Sequence, residues 1–237
     1  MPFWNFFLYW SIQVSGSIIA DSPATAEDLR RWYRLKETKL RTVPAGVDPV
    51  FFSLAARRHP EKLLLAVSTL HPHKNLDGLL RAFAEFRKQH ADYRLIVCGI
   101  HGFFSGELHD LRERLDLGES VAFPGWIPRE ALYDLFTRAS AFLYPSLFEG
   151  FGLPVLEALA AGVPSACSNV EPMDSIAADA ALKFDPRSTA EIATAMERLV
   201  SDEALRHRLA EAGPRRAADF SWHATARGVL DALTSAV

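Results

Sequence analysis

From residue 63 onward, short apolar runs of strand length alternate with amphipathic segments of helical length, and no other feature restricts the fold of this chain as strongly. LLLAVSTL (63–70) reads as a buried strand, after which Leu76, Leu79, Leu80, Phe83 and Phe86 recur at helical spacing. YRLIVCGI (93–100) is a second strand, followed by a helix through Leu108, Leu111 and Leu115. VAFPG (121–125) is a third, then a short helix over 129–138, a strand around 141–144 and a helix beginning near Leu153. VPSAC (163–167) and ALKF (181–184) complete the strands ahead of helices near 188–200 and 202–218. Uninterrupted apolar strands joined by helices predict an α/β fold with a parallel, doubly wound sheet covered on both faces. Ligands of such sheets lie beyond the C-terminal ends of the strands, so loops 69–75, 99–106, 124–128, 145–153 and 168–175 are where site residues are expected.

One of these loops carries concentrated chemistry. The stretch 145–164, PSLFEGFGLPVLEALAAGVP, places Glu149 and Glu157 eight residues apart around the start of one helix. Gly150 and Gly152 permit unusual backbone angles and close approach of a ligand, and Pro154 suits the first helical position, where its missing N–H costs nothing. Val155, Leu156, Leu159 and Ala160 supply the apolar face, and Gly162 followed by Pro164 ends the run. The helix's free N–H groups and positive dipole end point into the loop from Gly150 to Leu153, which makes that loop a diphosphate cradle in expectation. Glu157 lies about 4.5 Å along the axis from Pro154, within reach of hydroxyls beside such an anion. An isolated pair of glutamates at this spacing would say little, since the dipole alone favours acids near a helix start.

A second loop, TLHPHKNL (69–76), follows the first of these strands and precedes a helix. Lys74 is its anion-binding candidate, because a flexible ammonium can neutralise a leaving diphosphate as charge develops on it. His71 and His73 flank Pro72 and would add cationic character below about pH 6.5. As an H-x-H metal site they lack an accompanying carboxylate or cysteine in the loop, and no metal is expected.

Composition narrows the partners. At 237 residues with 49% hydrophobic and 23% charged residues, the chain can bury one good core and an appendage. A net charge of −3 and the lack of any basic run interleaved with aromatics argue against nucleic acid. Cys98 and Cys167 each close an apolar run and read as reduced, buried thiols of a cytoplasmic protein. The N-terminal stretch MPFWNFFLYWSIQ is apolar and aromatic but has no positive n-region or cleavage pattern, and it is broken by Asn5, Ser11 and Gln13. It falls short of the roughly 20 apolar residues that span a bilayer. An interfacial helix with Trp4 and Trp10 at the headgroups, hence peripheral membrane association, stands beside burial against a protein surface absent from this chain.

The string E-G-F-G-L-P-V-L-E-A, together with Lys74-Asn75, resembles the C-terminal donor-binding half of family 4 retaining glycosyltransferases of the GT-B fold. The likeness covers roughly residues 17–225. SIIADSPATAEDLRRWY (17–33), with Thr25 as an expected helix N-cap, KLRTVPAGVD (39–48), a strand and turn, and RRHPEK (57–62), a solvated linker, resemble the segments that close the N-terminal acceptor domain and lead into the donor domain. The resemblance implies a remnant of the acceptor domain over 1–38, a connecting strand and linker over 39–62, a Rossmann-like donor domain over 63–219 and a C-terminal crossover helix over 220–237. Most of the acceptor domain is then absent, and the final helix and the stretch from Trp4 to Trp10 are expected to expose apolar surface.

The resemblance also implies roles. Glu157 would hold ribose hydroxyls, and Glu149 would contact the transferred sugar as nucleophile, electrostatic stabiliser or positioning group. The amides of Gly152 and Leu153 would meet the phosphates, with Gly150 and Phe151 shaping the sugar pocket. Trp126 and Ile127, in the loop PGWIP, would lie where the nucleobase is read, Trp126 either stacking or packing. Thr69 stands where many members carry a phosphate-binding arginine, and it offers a hydroxyl without charge. Asp174 and Ser175 replace a common proline-glutamate pair. The implied reaction transfers a hexose-type sugar from a nucleoside diphosphate sugar to a sugar or glycoconjugate acceptor with retention, without a cofactor. Alternatives are a module that needs a separately encoded acceptor domain, a truncated module that binds without transfer, and a GT-B nucleotide-sugar epimerase.

Overall fold

The computed structural model describes residues 3–100, 102 and 104–235, with the side chains of those from Phe6 onward. In chain order the elements are α1 (Phe3–Val14), β1 (Ile18–Ala20), α2 (Pro23–Tyr33), β2 (Leu40–Thr42), α3 (Val50–Leu54), β3 (Leu63–Val67) and α4 (Leu76–Arg87). Next come β4 (Arg94–Cys98), α5 (Ser105–Arg114), β5 (Val121–Gly125), α6 (Arg129–Arg138), β6 (Ala141–Tyr144), α7 (Leu153–Ala160) and β7 (Ser165–Ser168). The chain continues with α8 (Met173–Ala177), β8 (Leu182–Phe184), α9 (Thr189–Ser201), α10 (Glu203–Ala217) and α11 (Trp222–Thr234). These fall into two compact units, one spanning Val47–Asp219 and the other formed by the chain up to Gly46 and from Phe220.

The larger unit is an α/β layer structure around a parallel six-stranded sheet of order β5-β4-β3-β6-β7-β8. Residues 63–66 of β3 are fully buried, as a central strand covered on both faces requires. On one face Leu76, Leu79, Leu80, Phe83 and Phe86 of α4 meet Ile192, Ala195, Met196 and Leu199 of α9 over the sheet. Burying each of the larger of these side chains contributes about 1.5–3 kcal/mol, which is where much of this unit's stability resides. Chain order runs outward from β3 to β4 and β5, then returns to β6 beside β3 and runs out the other way. The crevice between the loops after β3 and β6 is therefore the topological switch point, where such sheets bind ligands.

Several local expectations shift. The first two strands end at Val67 and Cys98, before residues 70 and 100, because Ser68 and Leu70 leave the ladder while still donating to Cys98 O (2.7 Å) and Ile100 O (3.1 Å). The strand expected over 163–167 runs Ser165–Ser168. Segment 57–62 is not a plain solvated linker. Arg58 donates to Phe136 O (3.2 Å) and Ala139 O (2.8 Å), capping the end of α6, and burial lowers its pKa to about 10. The backbone N–H groups of His59 and Glu61 add bonds to Thr137 O and Arg138 O.

In the smaller unit β1 and β2 pair in parallel, Ile18 opposite Leu40 and Ala20 opposite Thr42, over a small core of Ala20, Ala26 and Leu40. Thr25 is not the N-cap of α2. Ser22 is, its buried hydroxyl accepting from Thr25 N–H at 3.0 Å, because Pro23 opens the helix three residues earlier than expected. In α1, Phe6, Phe7, Leu8, Tyr9, Trp10 and Val14 are exposed, as are Trp222, Leu230 and Leu233 of α11. The side chain of Trp4 lies outside the described residues, as do residues 236 and 237 of the expected final helix. Among the described residues no helix is long and apolar enough to cross a membrane.

Candidate functional site

The loop after β3 and the loop after β6 are sewn together by polar contacts between residues 70 or more positions apart. After a short turn over Pro72–Lys74, Asn75 takes a left-handed conformation (φ 52°, ψ 38°), which asparagine tolerates better than most residues. Its buried amide donates to Pro145 O (3.2 Å) and Pro186 O (2.6 Å). His73 O accepts from Leu147 N–H (2.8 Å) and Ser146 Oγ (3.1 Å). These bonds fix the backbone on either side of Lys74 and just ahead of Glu149, which lowers the ordering cost of bringing the two side chains together.

Lys74 Nζ lies 2.5 Å from Glu149 Oε1, and the two side chains are 13% and 11% exposed. Tyr144, the last residue of β6, donates its hydroxyl to the same carboxylate oxygen at 2.7 Å, and Lys74 Nζ is 3.4 Å from that hydroxyl. Burial, then the charge of Glu149 and the bond to it, hold the Tyr144 phenol well above its usual range, so it stays a donor.

These three residues line a cleft of about 380 Å³ with Thr69, Gly99, Ile100, Trp126, Phe151, Gly152, Leu153 and Pro154. α7 opens onto it as expected. Gly152 sits at φ 112°, a conformation that side chains rarely adopt, and the helix begins at Leu153, which puts Pro154 one position later than expected. The N–H groups of Gly152 and Leu153 have no acceptor among the described residues. Phe151 is buried, Gly150 is exposed outside the lining, and Trp126 is 72% exposed, presenting its ring rather than packing it away. Ile127 is half-buried and outside the lining. His101 and Phe103 of loop 99–106 lie outside the described residues.

Glu157 stands apart from the lining. It is half-buried on α7 near the ion pair of Arg129 and Asp48 (2.9 Å), and its carboxylate has no hydrogen-bond partner among the described residues. Burial raises its pKa to about 7, with Arg129 opposing and Asp48 adding to the rise. His73 is shifted the other way. Burial, then Lys74, lower its pKa despite Glu149, which argues against the cationic role expected of it near pH 6.5. His71 and His73 stack at 5.9 Å, and no group of three His, Cys, Asp or Glu among the described residues could hold a metal. Asp174 pairs with Lys183 (2.8 Å) and Ser175 donates to Glu171 (2.6 Å), both outside the lining. A larger concavity, about 430 Å³ along edge strand β5 and α5, contains none of the residues singled out by sequence.

Tyr144, Asp48 and Arg129 were not legible as site residues, whereas Gly99 and Ile100 fall in the expected loop 99–106 without having been singled out. Tyr144 reads as one more apolar residue of a buried strand; its position at the strand's C-terminal end was the available signal. In chemical terms the cleft joins one ammonium, two unsatisfied amides at a helix start, a carboxylate and an exposed indole. That set suits an anion attached to a hydroxylated, flat-ringed molecule.

Comparison with known proteins agrees with this picture. Residues 52–216 match the family model of glycosyl transferases group 1. The O-antigen chain mannosyltransferase B of Escherichia coli is 36% identical over 159 residues, covering 67% of this chain and 42% of that protein. A D-inositol 3-phosphate glycosyltransferase of Stackebrandtia nassauensis is 31% identical over 242 residues, 94% of this chain and 55% of its own length. The chain thus spans about half the length of the curated relatives it matches. Among solved structures, a sucrose-phosphate synthase from Thermosynechococcus elongatus superposes with a TM-score of 0.81 at 25% identity, over 95% of this chain and 59% of its own. Alr3699/HepE of Anabaena, solved with UDP and glucose, shares the fold with a TM-score of 0.85 at 18% identity, over 98% and 66%. With a family model matching well over half of its residues, the chain belongs to the glycosyl transferases group 1 family.

Proposed function

We propose that the cleft is the donor site of a family 4 type glycosyltransferase, which moves a hexose-type sugar from a nucleoside diphosphate sugar to a sugar or glycoconjugate acceptor with retention. The observation that carries this reading is the meeting of Lys74 and Glu149 beside the uncapped start of α7, at the switch point of the sheet. Lys74 and the amides of Gly152 and Leu153 would take the diphosphate, stabilising the charge that grows on it as the glycosidic bond breaks. Glu149 would face the sugar, Trp126 the base, and Glu157 the ribose hydroxyls. Thr69 would add one hydrogen bond, and Phe151 and Gly150 would shape the pocket, with Ile127 behind Trp126. In this reading the positive groups of the chain do the neutralising and no metal is needed. The smaller unit would belong to an acceptor-binding domain, completed by further chain or by a separately encoded partner.

The test is calorimetric titration with UDP, GDP, ADP and dTDP. Selective binding is expected, and Glu157→Ala should weaken it by about 1–3 kcal/mol, the cost of losing hydrogen bonds to a charged group. Unchanged affinity in a folded variant would remove Glu157 from the site. The pH dependence has a definite sign. A carboxylate raised to about 7 is half protonated at neutrality, and ribose hydroxyls donate best to its ionised form. Affinity should therefore rise between about pH 6 and 8, and Glu157→Gln should flatten the profile. Without ligand the sign reverses: with its folded pKa above the unfolded value, Glu157 costs stability as pH rises from the unfolded value toward 7, so thermal stability should fall over that window in the wild type only.

A further inference from the structure

The ammonium that the proposed donor diphosphate needs is paired with a carboxylate of the same cleft. If Lys74 simply left, Glu149 would remain as a nearly buried charge, and stripping one partner from such a pair is costly. The arrangement around Tyr144 lowers this obstacle. Its hydroxyl and Lys74 both bind Oε1 of Glu149, whereas Oε2 has no partner among the described residues. The phenol is 2% exposed, its ring stacks on Phe142 (6.1 Å, 14°), and its backbone carbonyl accepts from Ser168 Oγ at 3.3 Å. A donor held that firmly keeps Oε1 satisfied when the ammonium moves, and Oε2 stays available to a sugar hydroxyl.

We propose that Tyr144 is a positioning residue that anchors Glu149 through Oε1, so that Lys74 can exchange the carboxylate for the donor diphosphate. This rests on reading the cleft as a nucleotide-sugar site. The ring alone would serve packing equally well, so the hydroxyl is the group to remove. Tyr144→Phe leaves the stack on Phe142 and the ring beneath Lys74 Nζ intact, and deletes the hydroxyl with its 2.7 Å bond to Glu149 and its longer 3.4 Å contact with Lys74.

The experiment is a double-variant cycle on the full chain, measured by calorimetry with UDP, GDP, ADP and dTDP, with Lys74→Ala as reference and thermal melts to confirm folding. Tyr144→Phe should weaken binding of the preferred nucleotide about tenfold, the scale of a hydrogen bond to a charged group. In the Glu149→Gln background the same change should matter less than about twofold, because no buried carboxylate then waits for a partner. An equal loss in both backgrounds would show that Tyr144 acts through the general shape of the cleft, and no loss in either would show that the anchor is idle. Both results overturn the proposal while the donor-site reading stands, provided Lys74→Ala weakens binding. Binding of none of the four nucleotides, or binding indifferent to Lys74→Ala, would overturn the donor-site reading and this proposal with it.

Discussion

Lys74→Ala is expected to lose both stability and ligand. The ammonium is the charged partner of a carboxylate only 11% exposed, and removing one member of a buried pair typically costs about 3–5 kcal/mol because the other is left uncompensated. Tyr144 still donates to Glu149, so a loss of about 2–4 kcal/mol is expected in urea unfolding. Affinity for the preferred nucleoside diphosphate should fall by about one to two orders of magnitude, since a charge-assisted bond to phosphate disappears from a partly dry site. On the donor-site reading proposed above, sugar transfer should fall further, by about 10²–10³, because charge on the diphosphate peaks after the ground state. The double variant Lys74→Ala/Glu149→Ala separates the effects: it should regain much of the stability and none of the affinity. A single variant as stable as wild type would mean that solvent screens the pair despite its low exposure.

Gly99→Ala should be the most damaging small substitution in the larger unit. Gly99 follows β4 at φ +149°, and a Cβ there would lie 2.0 Å from Ser68 O and 2.5 Å from Ser68 C. Those are backbone atoms at the end of β3, which cannot swing aside as a side chain would. Gly99 N–H also donates to Gly125 O (3.0 Å), so the residue ties together the ends of three strands at the cleft. Relief requires β3 and β4 to part where Ser68 N–H bonds Cys98 O, and a cost of about 3–5 kcal/mol follows from strain and lost bonds combined. Thermal unfolding and nucleotide titration would both register it. A variant melting within about 2 °C of wild type would show that the strand ends are more compliant than their contacts indicate.

The parts that could be read in advance share a physical origin. Strand and helix periods are properties of neighbouring residues, so β3, α4, β6, α7 and α9 were legible with errors only at their ends, where capping and ladder bonds compete. Thr25 illustrates the limit. Two hydroxyls stood near the helix start, and Pro23, whose fixed φ suits the first helical position, selects Ser22. Arg58 illustrates another. Its sequence neighbourhood is polar and reads as exposed, whereas its guanidinium folds under the end of α6, 78 and 81 residues away in the chain.

Within the site, the local string determined a great deal: the glycine at positive φ, the proline in the first turn, the uncapped amides and the presence of two carboxylates around them. The β-α alternation likewise determined that Lys74 and Glu149 follow strands of one parallel sheet. The tertiary structure alone decided that these strands are neighbours, that Lys74 and Glu149 meet across 75 residues, and that Tyr144 completes the pair. It also decided that Glu157 lies outside the cleft lining, where the charges of Arg129 and Asp48 act on it. The reason is the range of the forces involved: backbone sterics and hydrophobic period act over a few residues, whereas strand order, desolvation and the pairing of charges exist only once the sheet has closed.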